Sequence, residues 1–495
     1  MKVSARHNGP AKLVAVSSPP DIRPSKDPAY PAGPSLLPRL LSGASLRQNS
    51  ADFLLETARE FGDLNHYRLF GRHIYQINHP DLISDYFLRD APNHDRNLVM
   101  QRARDVLGHG LLTSEEPLHM RQRRLAQPAF LRERIAAYAE VIGANTLSLS
   151  ARWKSGTVID LHAEMLELAL RIVGECLFDL HTLDDVAAIA SAVDSFMSFL
   201  PLSFLPFSQQ IQRLPIPAMR RLQRGKAHLD KLIYRMIAER RADPSDRGDL
   251  LSMLLNATDP EPEQQEGASQ AGSADATTVR TANTMSDRQL HDECVTIILA
   301  GHETTANALS FALQLLAHYP EVQQRLHEEA RAVLANRTPV ATDQPHLAYA
   351  TQVFAEAMRL YPPVWVTGRT CTKPYDIAGF HIPVGATLLA PQYAVHRDAR
   401  FFDEPENFDP SRFAPESKAG RPRYSYFPFA GGSRQCIAEG LAWMEGTLVL
   451  AVIARDWRLT PTPGSPPRPS IRPAVSLRPG KGIPLHIHRR AGGPS

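Results

Sequence analysis

Residues Phe427 to Gly440 read FPFAGGSRQCIAEG and set one cysteine, Cys436, in a glycine-rich turn two residues after an arginine. A thiolate is a good ligand for soft and borderline metals, and its charge needs stabilising. A glycine-bearing turn lets backbone N–H groups approach the sulfur, and Arg434 offers a charge-assisted hydrogen bond to a nearby anionic group. A cysteine taken alone is more often a small buried apolar side chain. Here Phe429, Gly432, Arg434, Cys436 and Ala438 stand at fixed spacing, and a helix-forming run begins directly after them. A core cysteine requires none of that.

A second constellation, Ala300-Gly301-His302-Glu303-Thr304-Thr305, falls inside a long apolar run. Glycine in mid-helix costs about 1 kcal/mol relative to alanine, so a purely structural helix has little reason to keep Gly301. An acid followed by a hydroxyl suits proton delivery, whereas the plainer account has Thr304 bonding back to the Ala300 carbonyl. A zinc H-E-x-x-H motif is excluded, because Ala306 stands where the second histidine must be. Glu356 and Arg359 lie one helical turn apart in FAEAMRLYPP, and Arg412 follows in FDPSRF. On an exposed helix such a pair contributes only about 0.2–0.5 kcal/mol, so the spacing alone says little. His119 and Arg123, at i and i+4 in LHMRQRRL, share one helical face, and Arg369 follows the Tyr361-Pro362-Pro363 break.

In order and spacing these motifs resemble those of the cytochrome P450 family, over about residues 35 to 490. The resemblance implies a mainly α fold with a small β region. In that fold a triangular helical prism holds haem b (iron protoporphyrin IX) between the long distal helix and the helix after the cysteine loop. By the same resemblance Cys436 is the axial ligand of the iron, with Phe429, Gly432, Ala300 and Gly301 against the cofactor. His119, Arg123, Arg369 and Arg434 become propionate partners, and Glu303 and Thr304 the pair that protonates bound oxygen. Glu356, Arg359 and Arg412 become a buried network behind the cysteine loop. Ala438 in place of glycine and His119 in place of tryptophan are mild departures.

Thiolate ligation favours O–O cleavage, so the implied activity is insertion of one oxygen atom from O2 into a lipophilic small molecule, by hydroxylation or epoxidation. Haem-thiolate isomerases and dehydratases commonly lack the acid–threonine pair, and a non-catalytic haem sensor has no need of it. Fifty-nine residues follow Cys436, so electrons from NAD(P)H are expected through a separate ferredoxin or flavodoxin and its reductase. Arg121, Arg124, Arg132 and Arg134 form a candidate basic docking face for such a donor.

The chain has 495 residues, 43% of them hydrophobic, with a formal net charge of +3. That composition supplies a large core and no charge imbalance calling for nucleic acid. Its four cysteines are scattered without a C-x-x-C pair, which argues against a zinc or iron–sulfur site and fits a reducing cytoplasm. No run of roughly 18 apolar residues occurs, so no transmembrane anchor is expected; peripheral membrane contact stays open. Residues 1–34 are expected to be a flexible proline-rich lead to a single domain, 35–495, with 257–285 a flexible surface linker inside it.

Periodicity supplies the positioning elements. The long helix opens at Ser286, with Gln289 at capping-box spacing, and stops at Tyr319–Pro320. Two strands around Gly71, β-rich segments from Tyr375 to Ala394 and a C-terminal hairpin in SLRPGKGIPLHI make up the β part. By position in the family fold the pocket is expected from Leu98 to Leu112, Thr296 to Ala300, Val364 to Thr367 and Ala474 to Leu477. The proline-broken apolar stretch Phe196–Phe207 would be its lid.

Overall fold

In the computed structural model, which describes residues 19–25, 27–35, 49–180, 189, 217–243, 245–259 and 284–490, five helices position the chemistry. They are α1 (Leu118–Ala126), α2 (Leu161–Phe178), α3 (Asp287–His318), α4 (Ala348–Leu360) and α5 (Glu439–Asp456). The Phe196–Phe207 stretch lies outside the described residues, as do 1–18 and 260–283.

Helix α3 begins where its capping box requires: Ser286 accepts from the Gln289 backbone N–H, and the Gln289 side chain accepts from that of Ser286. It runs through the interior against α2. Gly301 has a packing reason that composition did not suggest: a Cβ there would lie 3.0 Å from Val173 Cγ2 on α2. The two helices approach closely at that point because one of them carries no side chain.

The β region is more dispersed than the sequence pattern suggests. A five-stranded sheet orders β1 (Leu64–Leu69), β2 (Arg72–Ile77), β8 (Thr387–Ala390), β5 (Thr367–Cys371) and β3 (His94–Arg96), with β2 and β8 parallel. β6 (Tyr375–Ile377) and β7 (Phe380–Ile382) form a separate hairpin. The expected C-terminal hairpin is not one. β11 (Leu477–Pro479) pairs with β10 (Ile471–Pro473), while β12 (Pro484–Arg489) joins β4 (Val158–Asp160) and β9 (Trp457–Pro461) in another sheet. Partners far away in sequence won over the adjacent segment, which local turn chemistry cannot foresee.

Two segments expected to be flexible are held where they are described. Ile22 bridges Gly62, Pro24 bridges Pro31, and the Tyr30 ring stacks on His66 at 4.5 Å, so the described part of the proline-rich lead packs beside β1. The ends of the 257–285 segment are anchored, with Asp259 2% and Met285 3% exposed.

Glu445 on α5 is buried, with one carboxylate oxygen lacking a partner among the described residues. Burial pushes its pKa up to about 8. The folded chain thus holds Glu445 protonated over a range in which the unfolded chain ionises it. A raised acid contributes its stability below the unfolded pKa and loses it as pH rises through the folded one. Glu445→Gln is expected to match the parent's melting temperature at about pH 5 and to exceed it by several degrees at about pH 8. Parallel pH profiles for the two proteins would contradict this.

Candidate active site

The cysteine loop is built by neighbours rather than by its own sequence alone. The Cys436 N–H donates to the Phe429 carbonyl at 3.0 Å, and the Phe427 N–H donates to His396 Nε2 at 2.9 Å. Gly432 sits at φ 69, and a Cβ there would come 2.2 Å from the Phe87 carbonyl oxygen, so only glycine fits. Phe429 packs against Trp443 of α5, with ring centroids 5.5 Å apart.

Behind the loop, Arg359 and Glu356 of α4 are both fully buried and joined by two hydrogen bonds of 2.6 and 2.7 Å. Arg359 also donates to the carbonyls of His396, Pro405 and Asn407, and the Asp409 N–H donates to Glu356. Arg412 is the looser third member, 3.5 Å from Glu356. A spacing that means little on a surface helix has become an internal clasp, because burial removes the competition of water.

Cys436 is the one cysteine of four that is not buried. Burial, the largest influence, pushes the thiol up to about 11; the Ala438 N–H and Arg123 guanidinium pull downward against it. Helix α3 opens similarly. From Leu290 to Ala317 every residue is buried except Ala300, Gly301 and Thr304. The middle of an otherwise enclosed helix thus uncovers three residues of the second motif, while His302, Glu303 and Thr305 stay buried.

Next to that opening, Thr304 Oγ1 donates to the Ala300 carbonyl at 2.6 Å. Glu303 is buried, and its Oε1 accepts from Ser476 Oγ and from Arg478 Nε of β11. Burial alone would raise its pKa, but Arg478 and then Ser476 outweigh that and hold the carboxyl below its ordinary range. Oε2 has no partner among the described residues.

The sequence matches the family described as Cytochrome P450 over residues 31–486. The chain belongs to the cytochrome P450 family. It is 39% identical over 427 residues to a cyclooctatin synthase of Streptomyces melanosporofaciens, covering 85% of this chain and 87% of that one. A cyclooctat-9-en-7-ol 5-monooxygenase of the same organism is 33% identical, over 93% of this chain and 95% of its own. A pentalenene oxygenase of Streptomyces avermitilis is also 33% identical, over 82% and 86%. Among solved structures, the haem domain of cytochrome P450DA superposes with a TM-score of 0.77 at 23% identity, covering 95% of this chain and 97% of that one. A cyanobacterial P450 with retinoic acid bound gives 0.75, at 23% identity, over 90% and 96%. The fold is accordingly that of the P450 haem domain, mainly α with a small β region. The protein is a haem-dependent monooxygenase that inserts oxygen from O2 into a lipophilic small molecule.

The residues present fit a P450 haem. His119, 1% exposed, has its pKa depressed to about 3 by burial first and then by Arg434, Arg96, Arg123 and Arg369. Burial and neighbouring guanidiniums likewise depress Arg96 and Arg434. Glu115 is the main counter-charge, 3.0 Å from Arg434 and 2.7 Å from Arg104, with Glu116 beside His119. The Arg96 Nε is buried without a hydrogen-bond partner among the described residues. So many cations around a neutral histidine at low dielectric call for an anionic guest, and the two propionates of haem are dianionic.

Arg96 went unread in the sequence. It lies opposite Arg369 in the β3–β5 ladder, a juxtaposition only strand pairing creates. Arg478 was likewise missed, lying in a segment read as a hairpin, and Ser476 was expected only as part of the pocket lining from Ala474 to Leu477. The arginines proposed for docking divide. Arg121 and Arg124 both reach the buried Asp259 at 3.3 Å and share its one negative charge, and Arg134 pairs with Asp246 at 3.5 Å. Arg132 remains exposed. Among the described residues no helix is long and apolar enough to cross a membrane.

Proposed function

We propose that this P450 hydroxylates or epoxidises a polycyclic terpenoid, with residues 35–495 acting as one catalytic unit. What supports this is the company it keeps: relatives at 39% and 33% identity whose names carry cyclooctatin, cyclooctat-9-en-7-ol and pentalenene. The opening at Ala300, Gly301 and Thr304, beside a held Glu303, favours a monooxygenase over a haem-thiolate isomerase or a sensor. Titrating the protein with a sesquiterpene or diterpene hydrocarbon should shift the haem Soret band. Turnover should consume O2 and NADPH and yield a product heavier by one oxygen. A rearranged product formed without O2 would overturn the assignment.

In this reading Cys436 ligates the iron, and haem supplies O–O cleavage when it is bound. Arg96, His119, Arg123, Arg369 and Arg434 would hold the propionates, and Phe429, Gly432, Ala300 and Gly301 would bound the ring. Glu303 exchanges a proton at Oε2, the oxygen that neither Ser476 nor Arg478 occupies. Thr304 Oγ1, already oriented by the Ala300 carbonyl, keeps lone pairs able to accept a further hydrogen bond beside the opening. Thr304→Ala is expected to keep consuming NADPH while yielding at least about tenfold less product per NADPH, with peroxide in its place. Undiminished coupling would leave Thr304 a backbone-bonded helix residue only.

Electrons would come from NAD(P)H through a separate ferredoxin or flavodoxin and its reductase, in a cytoplasmic setting. With Arg121 and Arg124 sharing the Asp259 carboxylate and Arg134 paired with Asp246, Arg132 would carry most of what remains of the basic docking face. Reduction rates should then fall as ionic strength rises. Rates independent of salt would rule out docking by charge.

A further inference from the structure

The notable surface feature outside the catalytic centre is one end of the five-stranded sheet. Phe70, at the β1–β2 turn, is 87% exposed, and Val384, in the turn before β8, is 63% exposed. The parallel β2–β8 register pairs Ile74 with Thr387, so the turn that leads into β2 and the turn that leads into β8 lie at the same end of the sheet. The two most exposed large apolar side chains among the described residues therefore stand on turns at one and the same end of the sheet.

Folding gives no reason for Phe70 to be there. Leu69 pairs with Arg72, and the two residues between them, Phe70 at φ 48 and Gly71 at φ 78, both take positive φ. Such two-residue turns favour Asn-Gly, and an aromatic in the left-handed region is disfavoured. The β6–β7 hairpin turns the same way through Ala378 and Gly379 without an aromatic. Phe70 thus stands in a backbone conformation that disfavours it, with its ring in water, which points to a role outside the fold.

Its surroundings indicate the occupant. Arg68, Arg72 and Lys373 are exposed at this end and make no ion pair among the described residues. The acids nearby are Asp376, paired with His381 at 3.0 Å, and Asp27. A partner adding a strand is disfavoured, because the edge strand β1 is covered: the His66 N–H donates to the Ala32 carbonyl at 3.3 Å. Apolar tips ringed by cations fit the interface of an anionic bilayer. We propose that this end of the sheet docks the enzyme on an anionic lipid surface, with Phe70 and Val384 entering the headgroup boundary. The inference is independent of the substrate class proposed above.

The test is flotation of the haem-loaded enzyme with phosphatidylglycerol-rich and with phosphatidylcholine vesicles, at low and high salt. The parent should bind the anionic vesicles more strongly, and less so in salt. Phe70→Asn with Val384→Ser should weaken that partitioning by about tenfold, at an unchanged or higher melting temperature, since asparagine suits the turn. Arg68→Glu with Arg72→Glu should erase the preference for anionic over zwitterionic lipid. Three results would each overturn the proposal: no preference of the parent for anionic vesicles, equal binding by the Phe70→Asn/Val384→Ser variant, or a drop in its melting temperature. A parent dimer in sedimentation that this variant dissolves would also overturn it, by naming a second copy as the occupant.

Discussion

Cys436→Ser is expected to leave the chain folded while abolishing the long-wavelength absorption that thiolate ligation gives the reduced, carbon-monoxide-bound protein. The loop is shaped by bonds that do not involve the sulfur: the Cys436 N–H on the Phe429 carbonyl, the Phe427 N–H on His396, and Gly432 against Phe87. Serine fits the same space, so the melting temperature of the haem-free chain should hardly move. No other cysteine can substitute. Cys176, Cys294 and Cys371 are buried, and burial pushes the pKa of each upward. A hydroxyl is too weak an acid and too hard a ligand to reproduce the thiolate spectrum, and oxygen insertion should fall to background with it. Persistence of the band in Cys436→Ser would refute the ligand assignment outright.

Arg359→Ala should be the most damaging single change to the fold itself. It removes a guanidinium that is fully buried, bonded twice to Glu356 and once each to three backbone carbonyls. It would leave the buried Glu356 carboxylate with only the Asp409 N–H and the looser Arg412, and breaking one partner of a buried pair costs about 3–5 kcal/mol. Arg359→Lys should recover little, since an ammonium cannot reproduce the bidentate fork. Arg412→Ala should cost clearly less, because Arg412 stands 3.5 Å from Glu356 and is 11% exposed. Denaturant unfolding of the three variants, with haem content measured alongside, checks the order. If Arg412→Ala proved as destabilising as Arg359→Ala, the clasp would be a triad of equals rather than a pair with an outrigger.

Chemistry carried by a short, contiguous string was legible without coordinates. The cysteine loop, the Ala300–Thr305 motif and the Glu356–Arg359 pair each lie within a few residues, so local spacing already encodes how their side chains share a turn or a helical face. The capping box at Ser286 and Gln289 was readable for the same reason. Phe196–Phe207 was read as a lid, but that stretch lies outside the described residues.

What only the tertiary structure decided depends on partners distant in the chain. Arg96 joins the cations around His119 because β3 pairs with β5, and Arg478 reaches Glu303 because β11 folds back beside α3. The candidate docking face shrank because Asp259, 135 residues away from Arg124, folds in to share its charge between Arg121 and Arg124. The C-terminal hairpin dissolved into two sheets through equally remote strands. Residue type and periodicity determined which groups exist and how neighbours along one helix are arrayed. Which charges end up compensated, and which strands pair, is set by burial and by contacts between segments far apart, and no local spacing contains that information.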